Sequence, residues 1–191
     1  MKFKLPMLFL LTLALTSCTA ILVETTSEEG IRESPTGRTI GASVEDEVIE
    51  TKVEVNIKSQ EEALRNANIQ AVSHNGVVLL VGQVETEALK HRASEIASQA
   101  SSKIRRIHNE LEIAGKTSLL TRSNDAWLAT KVRTGLFTNR NVPSGQVRVA
   151  TENGIVYLMG MISQDQGNLA ADVASNITGV QRVVKVFEYV N

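Results

Sequence analysis

Apolar positions along the chain change period in a fixed order, and they do so twice. In residues 44–58 they recur at Ile49, Val53 and Ile57, and in residues 123–137 at Leu128, Val132 and Leu136, a spacing that puts them on one side of a helix. Each helical stretch is followed by a short β-rich run, 69–73 or 147–151, then Asn-Gly, then a second apolar run, 77–84 or 155–162. Asn-Gly between such runs predicts a hairpin, because a type I′ turn needs positive φ at both central residues. The Ala-rich stretches 86–100 and 164–177 predict second helices. The closing runs 104–113 and 180–190 predict strands that return to the sheet through a crossover connection.

The order is a duplication. Thr51-Lys52-Val53 matches Thr130-Lys131-Val132 at an offset of 79, Asn75-Gly76 matches Asn153-Gly154 at 78, and Ile104 and Ile107 match Val180 and Val183 at 76. The repeat spans 44–113 and 123–191, with 114–122 as a linker. Each copy is expected to be an αββαβ domain of the α+β class, a three-stranded mixed sheet packed on two helices on one face. Seventy residues bury only a modest core. Ser123 is expected as the N-cap of the second copy's first helix, with Asp125 in its first turn, and Glu45-Asp46-Glu47 is expected to complement the dipole of the corresponding helix in the first copy. Gly82 and Gly160, at matching places inside the second strands, are expected as structural glycines at a bulge, a close backbone approach or a helix–strand contact.

The amino-terminal pattern is different. Lys2 and Lys4 precede an apolar run from Leu5 to Leu15 that is too short to cross a bilayer, so residues 1–17 are expected to be a secretory signal. Leu15-Thr16-Ser17-Cys18 resembles the bacterial lipobox, which implies cleavage before Cys18, acylation of that cysteine and a stable lipid anchor. The same resemblance implies the outer membrane, since Thr19 stands where many inner-membrane lipoproteins have an aspartate. Residues 18–43, rich in Thr, Ser, Glu and Gly, are expected to be a flexible tether. Loss of Lys2 and Lys4 leaves 18 of 20 basic residues against 21 acidic ones, a formal charge of −3, which offers no footprint for nucleic acid.

Little catalytic chemistry is on offer. Cys18 is the chain's one cysteine. His74, His91 and His108 stand apart, without zinc spacing or a nucleophile beside them, and are expected at the surface. Arg105-Arg106 is a short basic pair expected on adjacent strand positions. No metal, cofactor or enzymatic activity is expected.

Gly76-Val77-Val78-Leu79-Leu80-Val81-Gly82-Gln83-Val84 resembles the core of the BON domain, and residues 154–162 repeat it with apolar substitutions. The family's Gly-Val before the last strand stands as Gly179-Val180 but is replaced by Lys103-Ile104 in the first copy. A tether followed by two such units, with Ser123-Asn124-Asp125-Ala126-Trp127 opening the second, resembles the dual-BON outer-membrane lipoproteins. That resemblance implies a lipid-anchored protein on the periplasmic face of the outer membrane. It further implies a second unit that binds anionic phospholipids such as phosphatidylglycerol and cardiolipin, location at division sites, and support of envelope integrity.

On a helical wheel of about 100° per residue, Trp127, Thr130, Lys131, Thr134 and Phe137 share a face away from the core stripe, and they are the candidate phospholipid-binding residues. Tryptophan suits the membrane interface, and Lys131 near an anionic surface adds about 1 kcal/mol. The first copy has Val48, Thr51, Lys52, Val55 and Lys58 in these places, without aromatics. Two alternatives stay open: Trp127 packs against the first unit, or the chain is a protein-binding adaptor for the outer-membrane assembly machinery.

Overall fold

A computed structural model describes residues 39–190. Cys18, the signal and most of the tether lie outside the described residues. The first unit runs α1 (Ile40–Gln60), β1 (Asn68–His74), β2 (Val77–Val84), α2 (Glu87–Gln99), β3 (Arg106–Asn109) and β4 (Glu112–Ile113). The second runs α3 (Leu119–Thr138), β5 (Val147–Glu152), β6 (Ile155–Ile162), α4 (Gln164–Ser175) and β7 (Arg182–Tyr189). In both, a hairpin is joined by a strand that pairs parallel to its second arm.

Both hairpins close on the expected turn. Asn75 and Asn153 have φ of 50°, Gly76 and Gly154 of 75°, as a type I′ turn requires. A buried aspartate holds each turn. Asp46 accepts from the backbone N–H of Asn75 at 2.9 Å and of Gly76 at 3.2 Å, and from the Ser73 hydroxyl at 2.6 Å. Asp125 accepts from the N–H of Asn153 and of Gly154, each at 2.8 Å. These two carboxylates therefore do not sit in first turns complementing helix dipoles. α1 begins at Ile40, capped by the Thr39 hydroxyl, and α3 begins at Leu119, capped by Ser118 rather than Ser123. Each helix thus starts about one turn before the expected position, 44 or 123, taking residues from the tether and the linker.

The expected single closing strand of the first unit is broken into β3 and β4. Leu111 turns into the core there, and the Asn109 side chain donates to the Lys90 carbonyl and the Ser94 hydroxyl while accepting from the Leu111 N–H. That sheet accordingly has four strands. Only Arg106 of the arginine pair lies in the strand. Arg105 precedes it, donates to the Asn75 carbonyl, and forms a bidentate pair with Glu188 of the second unit.

The two units are not separate sandwiches. Alternate residues of β2 and β6 face opposite ways: Val78, Leu80 and Val84, or Val156, Leu158 and Ile162, pack under their own helices. Val77, Leu79 and Val81 meet Ile155, Tyr157 and Met159 in a third core that joins the sheets face to face. The order is helix, sheet, sheet, helix, and every residue of β2 is buried. Burial in that seam pushes the Tyr157 hydroxyl up to about 12. At its rim Glu152 accepts from Asn68 Nδ2 at 3.1 Å and Gln83 Nε2 at 2.7 Å, and Arg148 pairs with Glu50 at 2.6 Å.

Gly82 and Gly160 have φ of +125° and +156°. A Cβ there would stand 1.8 Å from the Asn68 carbonyl oxygen and 2.2 Å from that of Gln146. The close approach is strand to strand, between each hairpin's second arm and the start of its first, not helix to strand.

Candidate functional site

α3 is 20 residues long, about 30 Å at 1.5 Å per residue. Leu128, Val132 and Leu136 are buried beneath it, while Trp127 is 64% and Phe137 78% exposed. Trp127 therefore does not pack against the first unit. The early helix start adds two residues to this face that the wheel had not included: Leu119, 79% exposed, and Leu120, 74% exposed. Leu120 lies seven residues, two turns, before Trp127. The signal for them was a pair of leucines in a stretch otherwise composed like a linker.

Between the aromatics, the polar residues on this face are largely satisfied from within. Thr130 Oγ1 donates to the Ala126 carbonyl and Thr134 Oγ1 to the Thr130 carbonyl, each at 3.0 Å. Hydroxyls tied back to the preceding turn need no outside partner, so these threonines can enter an apolar surface at small cost. Lys131 is only half-exposed, and its Nζ donates to the Thr178 carbonyl at 2.6 Å. An ammonium has three donors, so one such bond leaves it able to meet an anion. Lys131 and Trp127 share a cleft of about 250 Å³ with Asn124, Gly179 and Gln181. Phe137 lies ten residues on, about 15 Å along the axis, and borders a different hollow with Thr134 and Arg133. The five predicted residues and the two leucines form a stripe, not a pocket.

The histidines behave differently from one another. His91 is exposed beside Glu87. His108 is half-buried, and burial followed by the nearby Arg106 charge holds its pKa below the usual imidazole value. His74, expected at the surface, is buried under the first hairpin turn. Among the described residues no three His, Cys, Asp or Glu side chains gather as metal ligands. No described helix is long and apolar enough to cross a membrane.

Two tandem αββαβ units sharing a face, with one helix presenting aromatics outward, define the class. A family model for the BON domain matches residues 45–115 and 124–191, and the chain belongs to that family. It is 39% identical over 154 residues to "Outer membrane lipoprotein DolP" of Haemophilus influenzae, covering 81% of this chain and 79% of that one. It is 37% identical over 153 residues to "21 kDa hemolysin" of Actinobacillus pleuropneumoniae, covering 80% and 78%. "Osmotically-inducible protein Y" of Escherichia coli is 26% identical over 164 residues, covering 84% and 81%. Within the family the chain is a DolP-like, dual-BON lipoprotein of the outer membrane. BON domains and DolP-like proteins are not enzyme families.

Proposed function

We propose that the second BON unit binds anionic phospholipids, phosphatidylglycerol and cardiolipin, by laying α3 along the membrane surface. The observation that carries this reading is the exposed stripe Leu119, Leu120, Trp127 and Phe137 on a helix whose opposite side is core. An amphipathic helix of this kind buries its apolar face at the headgroup boundary, and Trp127 can keep its indole N–H near water while the ring enters. Lys131 and Arg133 flank the stripe on either side and favour anionic headgroups over neutral ones. Support of envelope integrity and gathering at division sites are the cellular consequences that the family resemblance attaches to this reading.

The test is co-sedimentation of unacylated residues 19–191 with vesicles of phosphatidylglycerol, cardiolipin or neutral phosphatidylcholine, at low and high salt, for wild type and Trp127→Glu. Binding to the anionic vesicles, weakened by salt and reduced at least tenfold by the substitution, is the expected result. Because Trp127 is exposed, the variant should keep its circular dichroism spectrum. Unchanged binding would overturn the reading. Indifference to every vesicle would transfer the same face to a protein partner, as in an adaptor for outer-membrane assembly.

A further inference from the structure

The two units treat their outer strand edges differently. β1 and β5 are the edge strands of their sheets, and the outward N–H groups of β1 are capped by carboxylates from α1: Ala71 N donates to Glu54 at 3.0 Å and Ser73 N to Glu50 at 2.8 Å. At the offset of 78 within the hairpins, Ala71 and Ser73 correspond to Val149 and Thr151. At the offset of 79 within the opening helices, Glu50 and Glu54 correspond to Ala129 and Arg133. The second unit therefore has a methyl and a guanidinium where the first has two carboxylates, and the N–H groups of Val149 and Thr151 receive no cap from a described residue. Arg133 instead donates to the Val149 carbonyl at 3.1 Å.

This edge lines a groove of about 910 Å³ between the units, floored by β1 and β5 and walled by Glu54 on one side and by Arg122, Ala129 and Arg133 on the other. Thr151 itself lines the groove. Thr151 is 9% exposed, and its Oγ1 is buried without a hydrogen-bond partner, although the corresponding Ser73 hydroxyl is bonded to Asp46. A buried hydroxyl without a partner costs free energy, and the uncapped N–H groups of an edge strand are open to an incoming acceptor.

We infer that this groove is a docking site for an extended, acidic segment of a partner polypeptide, which adds to the β5 edge as a further strand. The donors left uncapped by the loss of the two glutamates need acceptors, and main-chain carbonyls spaced along an extended peptide supply them at alternate residues. Arg133 covers the Val149 carbonyl and leaves it when the incoming strand's N–H takes over. The groove's own carboxylates are engaged within the protein, Glu54 by the Ala71 N–H, Asp125 by the second turn and Glu152 by Gln83, and Arg148 is paired with Glu50. The guanidinium of Arg133 and that of Arg122 are therefore the charges left to face the peptide's carboxylates, which selects an acidic segment. A small carboxylate would reach one end of a six-residue edge, whereas a strand engages Val147, Val149 and Thr151 together. The site lies beside the Trp127 stripe and shares Thr130 and the flanking Arg133 with it, but neither Trp127 nor Phe137 lines it.

The probe is a hexapeptide of alternating valine and glutamate, with its alternating valine–lysine counterpart as control, titrated into 15N-labelled residues 19–191. The expected result is perturbation and slowed hydrogen exchange of the Val149 and Thr151 amides with the acidic peptide only. Arg133→Glu recreates the first unit's cap at an exposed position and is expected to weaken binding at least tenfold. Thr151→Val, which keeps the shape and removes the hydroxyl, is expected to weaken it a few-fold. Trp127→Glu should leave peptide binding intact, so loss of lipid binding and loss of peptide binding are distinguishable. The inference is overturned if both peptides bind alike, if Arg133→Glu binds as wild type, or if the edge amides respond to phosphatidylglycerol vesicles and not to the acidic peptide.

Discussion

α1 and α3 are the same helix put to two uses. Both send a three-residue stripe into a core, Ile49, Val53 and Ile57 or Leu128, Val132 and Leu136, and both extend a buried aspartate to hold an Asn-Gly turn. On the outer face the copies part. Val48, Thr51, Lys52, Val55 and Lys58 stand where the second unit has Trp127, Thr130, Lys131, Thr134 and Phe137. Val44, Val48 and Val55 are exposed, but scattered valines are ordinary surface, whereas two aromatics and two leucines on one stripe are not. Duplication preserved what the fold needs and released the faces it does not use. The helices form the outermost layers on opposite sides of the joined sheets, so a flat bilayer that receives α3 leaves the helix layer of the first unit turned away from it.

The most damaging changes to that comparison are those that strike the common scaffold. Gly82→Val and Gly160→Val each force a side chain onto a carbonyl oxygen of the neighbouring strand, at a φ that a β-branched residue does not adopt. Because the sheets share a core, the two units are expected to unfold in one calorimetric transition, and either substitution should abolish it for both together; survival of one unit's transition would show that the units fold independently. Next come the turn-holding aspartates. Asp46→Ala and Asp125→Ala should each cost about 1–3 kcal/mol through the uncapped N–H groups. Asp46 carries the additional Ser73 bond and so should cost the more, as urea denaturation will measure.

A smaller effect separates the residues that precede each turn, His74 in the first unit and Glu152 in the second. Burial, opposed by the hydrogen bond from Gln83, raises the Glu152 pKa above its ordinary 4.5. The unfolded chain then loses this proton before the folded one does. The Glu152 contribution to stability is thus largest below 4.5 and declines as pH rises through the raised value. Glu152→Gln keeps an acceptor for Asn68 and Gln83 and should flatten that decline above pH 4.5. A variant as steeply pH-dependent as wild type would place the titration elsewhere.

Local chemistry made much of this readable in advance. The hairpins followed from Asn75-Gly76 and Asn153-Gly154, and the fold class and family from the repeated apolar pattern. What was missed depended on distance. The periodic pattern starts the helices at 44 and 123, about one turn late, and Leu119 and Leu120, being apolar yet outward-facing, give no periodic signal. Asp46 and Asp125 looked like first-turn acids because their partners lie 28–30 residues on. The stacked sheets did leave a trace: Val77 to Val81 is apolar without alternation, the mark of a strand buried on both faces, but only the helix-facing half was assigned a partner. The pairs Arg148–Glu50 and Arg105–Glu188 join segments some 80 to 100 residues apart and had no local signature.

Trp127 is the chain's one tryptophan, so its own fluorescence reports on the central claim. Emission of residues 19–191 is to be recorded on addition of phosphatidylglycerol vesicles and of neutral phosphatidylcholine vesicles. The account predicts a shift to shorter wavelength, with shielding from an aqueous quencher, on the anionic vesicles alone. Emission that stays at its solvent-exposed position on anionic vesicles, while the protein nonetheless sediments with them, would contradict it by placing the lipid contact away from α3.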